Sequence, residues 1–244
     1  MHPVICDIGP LTVYSYGLCL AVAFFVSSAL AGQLAKRQGL PAEAVFNFAF
    51  LVFICGIIGA RALYVLNYLR DYLGHPLEIV MLQHGGLAWF GGLAAGICAG
   101  IIYLKLKGIG LWQMLDLVAP FAALGQSIGR LGCFFNGCCY GRSFGVPAQV
   151  ISSFLLLAVY VVLRRRQEVP HKNGEIFFLY LLLYALKRFL VEFIRADNPL
   201  LIGRLSLFHL LSIALFVFSA AGLILIRSQG TRPQGTSKRN TCDV

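Results

Sequence analysis

Charge, and negative charge above all, is what this sequence has least of. Its 244 residues hold ten Asp and Glu against twenty Lys and Arg, and charged side chains make up 12% of the chain. Soluble domains run near about 25%. With 59% hydrophobic residues and a mean hydropathy of +0.79, the chain has too little polar surface for a water-soluble fold. A basic segment ahead of the first apolar stretch is also missing, as is a convincing cleavage site after it. That stretch therefore reads as a retained helix and not as a removable signal peptide. Eight cysteines are present, but none falls in a four-ligand zinc spacing. No internal repeat or inverted symmetry recommends a transporter.

What the sequence does have is apolar runs long enough to cross a bilayer, about 20 residues each. They lie near 14–34, 45–66, 87–104, 112–131, 148–163, 175–194 and 205–226. These runs predict an all-α polytopic membrane protein with about seven transmembrane helices. Two are weakest: 112–131 contains Asp116 and Pro120, and 148–163 is short. A window around 77–92 adds a candidate re-entrant segment. Residues 1–228 read as one transmembrane helical domain, and 229–244, rich in Ser, Thr, Arg and Lys, as a disordered cytoplasmic tail.

The basic residues orient the spans. Placing the C-terminus in the cytoplasm gives that side twelve: Lys36, Arg37, Lys105, Lys107, Arg164, Arg165, Arg166, Lys172, Arg227, Arg232, Lys238 and Arg239. The outer side, with the N-terminus, receives Arg70, Arg142, Arg195 and Arg204. This is the positive-inside pattern. It also accounts for the +10 net charge without nucleic acid, because the cations are scattered among loops. The four others, Arg61, Arg130, Lys187 and Arg188, fall within or at the ends of spans, where a charge is costly to keep and marks a candidate site.

Arg130 opens a glycine- and cysteine-rich run, Gly129-Arg130-Leu131-Gly132-Cys133-Phe134-Phe135-Asn136-Gly137. A guanidinium does not shed its proton, and at membrane depth it needs an anion or water. The anion a bilayer supplies is a lipid phosphate. Gly129 and Gly132 would let backbone N–H groups approach that headgroup; the plainer alternative is an arginine that snorkels to the interface. Asn136 either bonds a glycerol hydroxyl or caps the turn. In the sixth span Arg188 and Glu192 stand i, i+4, with Arg195 one turn on, giving either a charged ladder along a polar cavity or an interfacial ion pair that closes a helix. Tyr16 is a cavity hydroxyl or a belt residue. His84 and His209 are candidate bases or structural hydrogen-bonders. Cys133, Cys138 and Cys139 offer a disulfide from Cys133 to either partner, buried thiols, or reactive ones.

These residues resemble a known family. The pattern Gly129-Arg130-Leu131-Gly132-x-Phe134-x-Asn136-Gly137-x-x-x-Gly141-Arg142 resembles the signature of the prolipoprotein diacylglyceryl transferases. The likeness extends along the chain. Tyr16-Gly17-Leu18, Gly59-Ala60-Arg61 with Tyr64, the glycines of 85–92, Asp116 with Pro120, Pro147 with Gln149, and Arg188-Phe189-x-x-Glu192-x-x-Arg195 follow in the family's order. The departures make this a divergent member: Phe90 stands where the family has a histidine, Cys133 and Cys138 replace its asparagine and glutamate, and Ser152 replaces a glutamate.

The resemblance implies transfer of the diacylglyceryl group from phosphatidylglycerol to the lipobox cysteine of a prolipoprotein, forming a thioether and releasing glycerol 1-phosphate. It implies Arg130, Arg188 and Glu192 as catalytic residues, and Arg130, Tyr16, Arg61, Gly129, Gly132, Asn136 and Arg195 as substrate-binding ones. It calls for no cofactor and no metal. The partners it implies are phosphatidylglycerol, the lipobox peptide and membrane lipids, and the location a bacterial cytoplasmic (inner) membrane. With Phe90 at the histidine position, Glu192 and His209 are the residual candidates for a base. Two other readings stand beside it: a non-catalytic lipid- or lipoprotein-binding paralogue, and a thiol-disulfide or metal-handling protein built on Cys133, Cys138 and Cys139.

Overall fold

The computed structural model describes residues 4–8, 11–72, 76–79, 86–137, 147–194, 200–202 and 205–228. Every expected span is a long helix: α1 (Ser15–Arg37), α2 (Ala42–Asn67), α4 (Trp89–Lys107), α5 (Leu111–Phe135), α6 (Ala148–Gln167), α7 (Glu175–Glu192) and α8 (Leu207–Ser228), with a single turn α3 (Leu69–Tyr72) between α2 and α4. Six of them, all but α3 and α7, are long and apolar enough to cross a membrane. Helix α7 carries Glu175, Lys187, Arg188 and Glu192 near its ends. Its uncharged centre, 176–186, spans only roughly 16 Å at 1.5 Å per residue, so the charges fall inside or close to the apolar layer. Protein covers them: Glu175, Lys187 and Glu192 are each 4% exposed.

Two antiparallel hairpins add to the helices. Strands β1 (Val4–Ile8) and β2 (Leu11–Tyr14) precede α1; β3 (Leu200–Ile202) and β4 (Leu205–Ser206) precede α8. Of the expected re-entrant segment, 76–79 form a 3-10 turn and 86–88 an extended lead into α4, while 80–85 fall outside the described residues. So does the tail, 229–244.

The chain groups into two compact units, one of Met1–Ser27 with Leu115–Val244, the other of Ser28–Met114. In the second, α2 and α4 meet backbone to backbone. A Cβ on Gly59 would come within 2.6 Å of the Gly91 carbonyl oxygen, and one on Gly92 within 2.9 Å of the Gly56 carbonyl oxygen. Lipid offers no hydrophobic drive for such a contact, so close approach through small residues supplies it.

In the first unit α5, α6 and α7 enclose a core of Ala119, Ala123, Val159, Leu163, Ile176 and Tyr180. The polar residues that weakened the fourth expected span, now α5, are what join it to its neighbours. Pro120 has no N–H to give the carbonyl four residues back, that of Asp116. Gln167 Nε2, at the end of α6, donates to that carbonyl at 2.9 Å. The Asp116 carboxylate in turn accepts the backbone N–H groups of Gly174 at 2.6 Å and Phe177 at 2.8 Å. It thereby caps the start of α7, whose own N-cap, Gly174, brings no side chain. Farther along, Ser127 and Ser153 exchange hydroxyl-to-carbonyl bonds of 2.8 Å in both directions, clasping α5 to α6. Gln126 Nε2 donates to the Tyr180 hydroxyl at 2.7 Å. Helices α5 and α7 therefore run in the same direction, with α6 antiparallel to both.

Candidate functional site

These ties fix where the arginines stand. Lys187 Nζ donates to Ser152 Oγ at 3.2 Å, and Ser127 is bonded to the next residue, Ser153. Arg188 directly follows Lys187, and Arg130 lies one turn beyond Ser127, about 4.5 Å higher along α5. Arg130 and Arg188, on separate helices, thus lie toward the same end of the unit, the end where α6 begins. Arg130 is half-buried and has no hydrogen bond or ion pair among the described residues. Such a cation at membrane depth suits an exogenous anion.

Arg188 is held more firmly. Its NH2 lies 3.2 Å from Glu192 Oε2, with side-chain exposures of 15% and 1%, and its guanidinium carbon sits 4.7 Å above the Phe208 ring. Glu192 Oε1 accepts the Ser206 hydroxyl at 2.7 Å. The Ser206 backbone N–H donates to His209 Nδ1 at 3.1 Å, which leaves the ring proton on Nε2. That atom is buried with no hydrogen-bond partner among the described residues. The ring is wedged edge-on against Phe189 and Phe193, with centroids at 5.3 and 4.5 Å. His209 therefore has its lone pair engaged and its ring enclosed, an arrangement of a structural residue and not of a base open to substrate. The pairing of Arg188 with Glu192 matches the sequence reading. Ser206 and the Lys187–Ser152 contact were missed, although Ser206-Leu207-Phe208-His209 has the spacing of a helix-start capping motif.

The glycines flanking Arg130 differ in role. A Cβ on Gly132 would meet Cys19 Cβ at 2.8 Å and the Tyr16 ring at 3.5 Å, so Gly132 is where α1 closes on α5. A Cβ on Gly129 would meet nothing within 4 Å. Tyr16, 42% exposed, is brought to the same end of the unit. Asn136 is exposed in the turn after α5, where its N–H donates to the Gly132 carbonyl at 3.0 Å. Gly137, with φ of 70°, adopts the left-handed conformation that ends the helix.

Arg61 belongs to the other unit. Its Nε, NH1 and NH2 donate to the carbonyls of Ile79 (2.9 Å), Gly86 (3.0 Å) and Glu78 (2.5 Å), and its guanidinium also faces the Tyr64 and Tyr72 rings. At 6% exposure it works as a clamp on the segment leading into α4. A Cβ on Gly86, at φ 79°, would strike Tyr64 and Arg61. Phe90, at the histidine position, is 67% exposed on the first turn of α4, its ring edge-on to Trp89. Arg195, His84, Arg142, Cys138 and Cys139 lie outside the described residues; Cys133 is half-buried in the last turn of α5. Among the described residues no group of three or more His, Cys, Asp or Glu side chains gathers as a metal site would require.

Comparison with known proteins finds relatives along nearly the whole chain. Residues 3–225 match the family described as "Prolipoprotein diacylglyceryl transferase". Proteins named phosphatidylglycerol–prolipoprotein diacylglyceryl transferase are similar over most of the chain. The one from Bacillus cytotoxicus is 32% identical over 247 residues, 91% of this chain and 91% of its own. That from Synechococcus elongatus is 32% identical over 252 residues, 92% of this chain and 87% of its own. The Bacillus licheniformis protein is 29% identical over 254 residues, 94% of each chain.

Proposed function

The chain belongs to the prolipoprotein diacylglyceryl transferase family, and from that premise we propose that it is an enzyme moving the diacylglyceryl group of phosphatidylglycerol onto a prolipoprotein cysteine. The thiol sulfur attacks the glycerol carbon that carries the phosphate. A C–S bond forms, the C–O bond breaks, and its electron pair leaves with glycerol 1-phosphate, while the thiol proton passes to solvent or to the departing phosphate. The acceptor is the cysteine of the lipobox. The observation that supports this reading is that α5 and α7 carry Arg130 and Arg188 to the same end of the unit, as the bonds of Ser127 and Lys187 to the adjacent serines of α6 require.

Each residue then has a task. Negative charge grows on the leaving oxygen, and pre-set guanidiniums stabilise it in a water-poor site. Arg130 meets the phosphate directly, and Arg188, oriented by Glu192, meets a second oxygen. A free thiol has a pKa of about 8.5, so neighbouring guanidiniums raise its thiolate fraction without a dedicated base. That answers the loss of the histidine at Phe90. Gly129, inside α5, leaves room beside the helix for the headgroup; Tyr16, Asn136 and Arg195 are assigned to binding lipid and peptide; Arg61 acts through the segment it clamps. The N-terminus lies outside and the C-terminus in the cytoplasm, across a bacterial inner membrane, as the distribution of basic loop residues supports. Neither rival reading is favoured, since the matched relatives bear the transferase name.

The test is complementation of a transferase-depleted bacterium, read as the mass shift of one lipoprotein. The parent chain restores the shift. Arg130→Ala lowers it by at least about a hundredfold, the scale of losing one transition-state charge contact. Undiminished lipidation by Arg130→Ala would refute the assignment.

A further inference from the structure

We infer that Ser206 and His209 are positioning residues for Arg188, forming a relay from the start of α8 to the guanidinium; this rests on the reading above, in which Arg188 meets the departing phosphate. The first turn of α8 touches Arg188 by two routes. Phe208 supports the guanidinium face at 4.7 Å. Ser206 bonds Glu192 Oε1 at 2.7 Å, while Glu192 Oε2 holds Arg188 at 3.2 Å. A long, flexible side chain is thus fixed before substrate arrives, the condition under which a charged group stabilises a transition state without reorganising.

The donor arithmetic assigns each partner. An ionised carboxylate only accepts, so the single Ser206 hydroxyl proton goes to Glu192. The Ser206 N–H only donates, so His209 Nδ1, 3.1 Å away, receives it. Ser206 thereby stands at the cap position of α8 with His209 three residues on. That is one half of the capping box, the return bond from the third residue to the cap N–H, usually made by Glu or Gln and here made by an imidazole. The Ser206 hydroxyl turns instead to Glu192. Ser206 and His209 are both 2% exposed, so neither has water as a substitute. His209 is needed as an acceptor that holds Ser206 in place and not as a carrier of protons.

This separates two roles for the same histidine. The full chain is purified in detergent, and transfer from phosphatidylglycerol to a lipobox peptide is measured for the parent and for Ser206→Ala, His209→Gln, His209→Leu, Arg188→Ala and the Ser206→Ala/Arg188→Ala pair. Glutamine keeps an acceptor oxygen in the box; leucine does not. Ser206→Ala lowers kcat by about tenfold, the scale of one hydrogen bond to a charged group, with KM for the peptide within about twofold. His209→Leu falls with it, and His209→Gln stays within about threefold of the parent. Because the relay acts through Arg188, the double variant is no slower than Arg188→Ala alone.

A His209→Gln rate as low as that of His209→Leu would overturn the proposal, because the imidazole would then be needed for its proton. So would an added tenfold loss from Ser206→Ala when Arg188 is already gone. If Ser206→Ala does not accumulate folded, the two His209 variants decide, and equal rates for them refute the relay. An inactive parent chain would sink the transferase reading and the relay together, whereas an active parent with an unchanged Ser206→Ala rate sinks the relay alone.

Discussion

Replacing Asp116 with alanine should unfold the bundle earlier without touching the reaction. Its carboxylate is 4% exposed and receives two backbone N–H groups, at 2.6 and 2.8 Å, from the start of α7. Each is a bond to a charged acceptor, worth about 1.5–3 kcal/mol, and alanine leaves both donors buried without a partner. The negative charge at the α7 N-terminus, worth about 0.3–1 kcal/mol, goes as well. Burying a methyl group in place of a carboxylate recovers part of this. A net loss of about 3 kcal/mol follows. At about 2–4 °C per kcal/mol for a chain of this size, the midpoint of thermal unfolding falls by about 6–12 °C.

Asp116→Asn keeps one acceptor oxygen and should lose about half as much. Residue 116 lies 14 positions before Arg130, about 21 Å along α5, so kcat of the folded fraction should stay within about twofold. The assay pairs circular dichroism melting in detergent with lipidation of a reporter peptide. An unchanged midpoint would refute the capping argument. An unchanged midpoint together with a tenfold loss of kcat would move Asp116 into the chemistry.

Other outcomes follow from the same geometry. Gly132→Ala forces a Cβ to 2.8 Å from that of Cys19 and should cost about 1–3 kcal/mol in thermal stability, as overpacking does. Gly129→Ala meets open space and should leave stability equal or higher by about 0.5–1 kcal/mol, while its methyl, set where the headgroup approaches, lowers transfer; a fully active Gly129→Ala would remove that glycine from the site. Arg61→Gln frees carbonyls of Ile79, Gly86 and Glu78 and should make residues 76–88 cleavable in limited proteolysis at protease concentrations that spare the parent.

The spans were legible because an apolar run of bilayer length has few other uses, and every run found in the sequence became a helix. The site was legible in part. Arg188 with Glu192 could be paired from their spacing alone, since i, i+4 residues share a helix face. Arg61 and Arg130 could not be told apart, because both are lone arginines among glycines, and only tertiary contacts show one bound to carbonyls and the other without such bonds among the described residues. Asp116 and Pro120 counted against the fourth span since their partners, Gln167, Gly174 and Phe177, lie 51 to 61 residues downstream. Ser206 was hidden for a different reason: hydropathy marks where a span begins only to within a turn, and a cap is a matter of single residues. The hairpins escaped because strands of two to five residues are too short to show an alternating pattern.

The borrowed partners of the fifth helix bear on how the chain enters a bilayer. At a mean hydropathy of 1.2 it is the least apolar of the six spanning helices, and two of its polar groups are answered only by residues the ribosome has yet to make. Until Phe177 has emerged, α5 carries an unneutralised carboxylate and an open carbonyl, neither of which lipid tolerates. Its release from the translocation channel should therefore wait for α6 and the start of α7. Nascent chains halted before residue 167 would hold α5 within crosslinking reach of the channel, and chains halted after about 215 would have let it go.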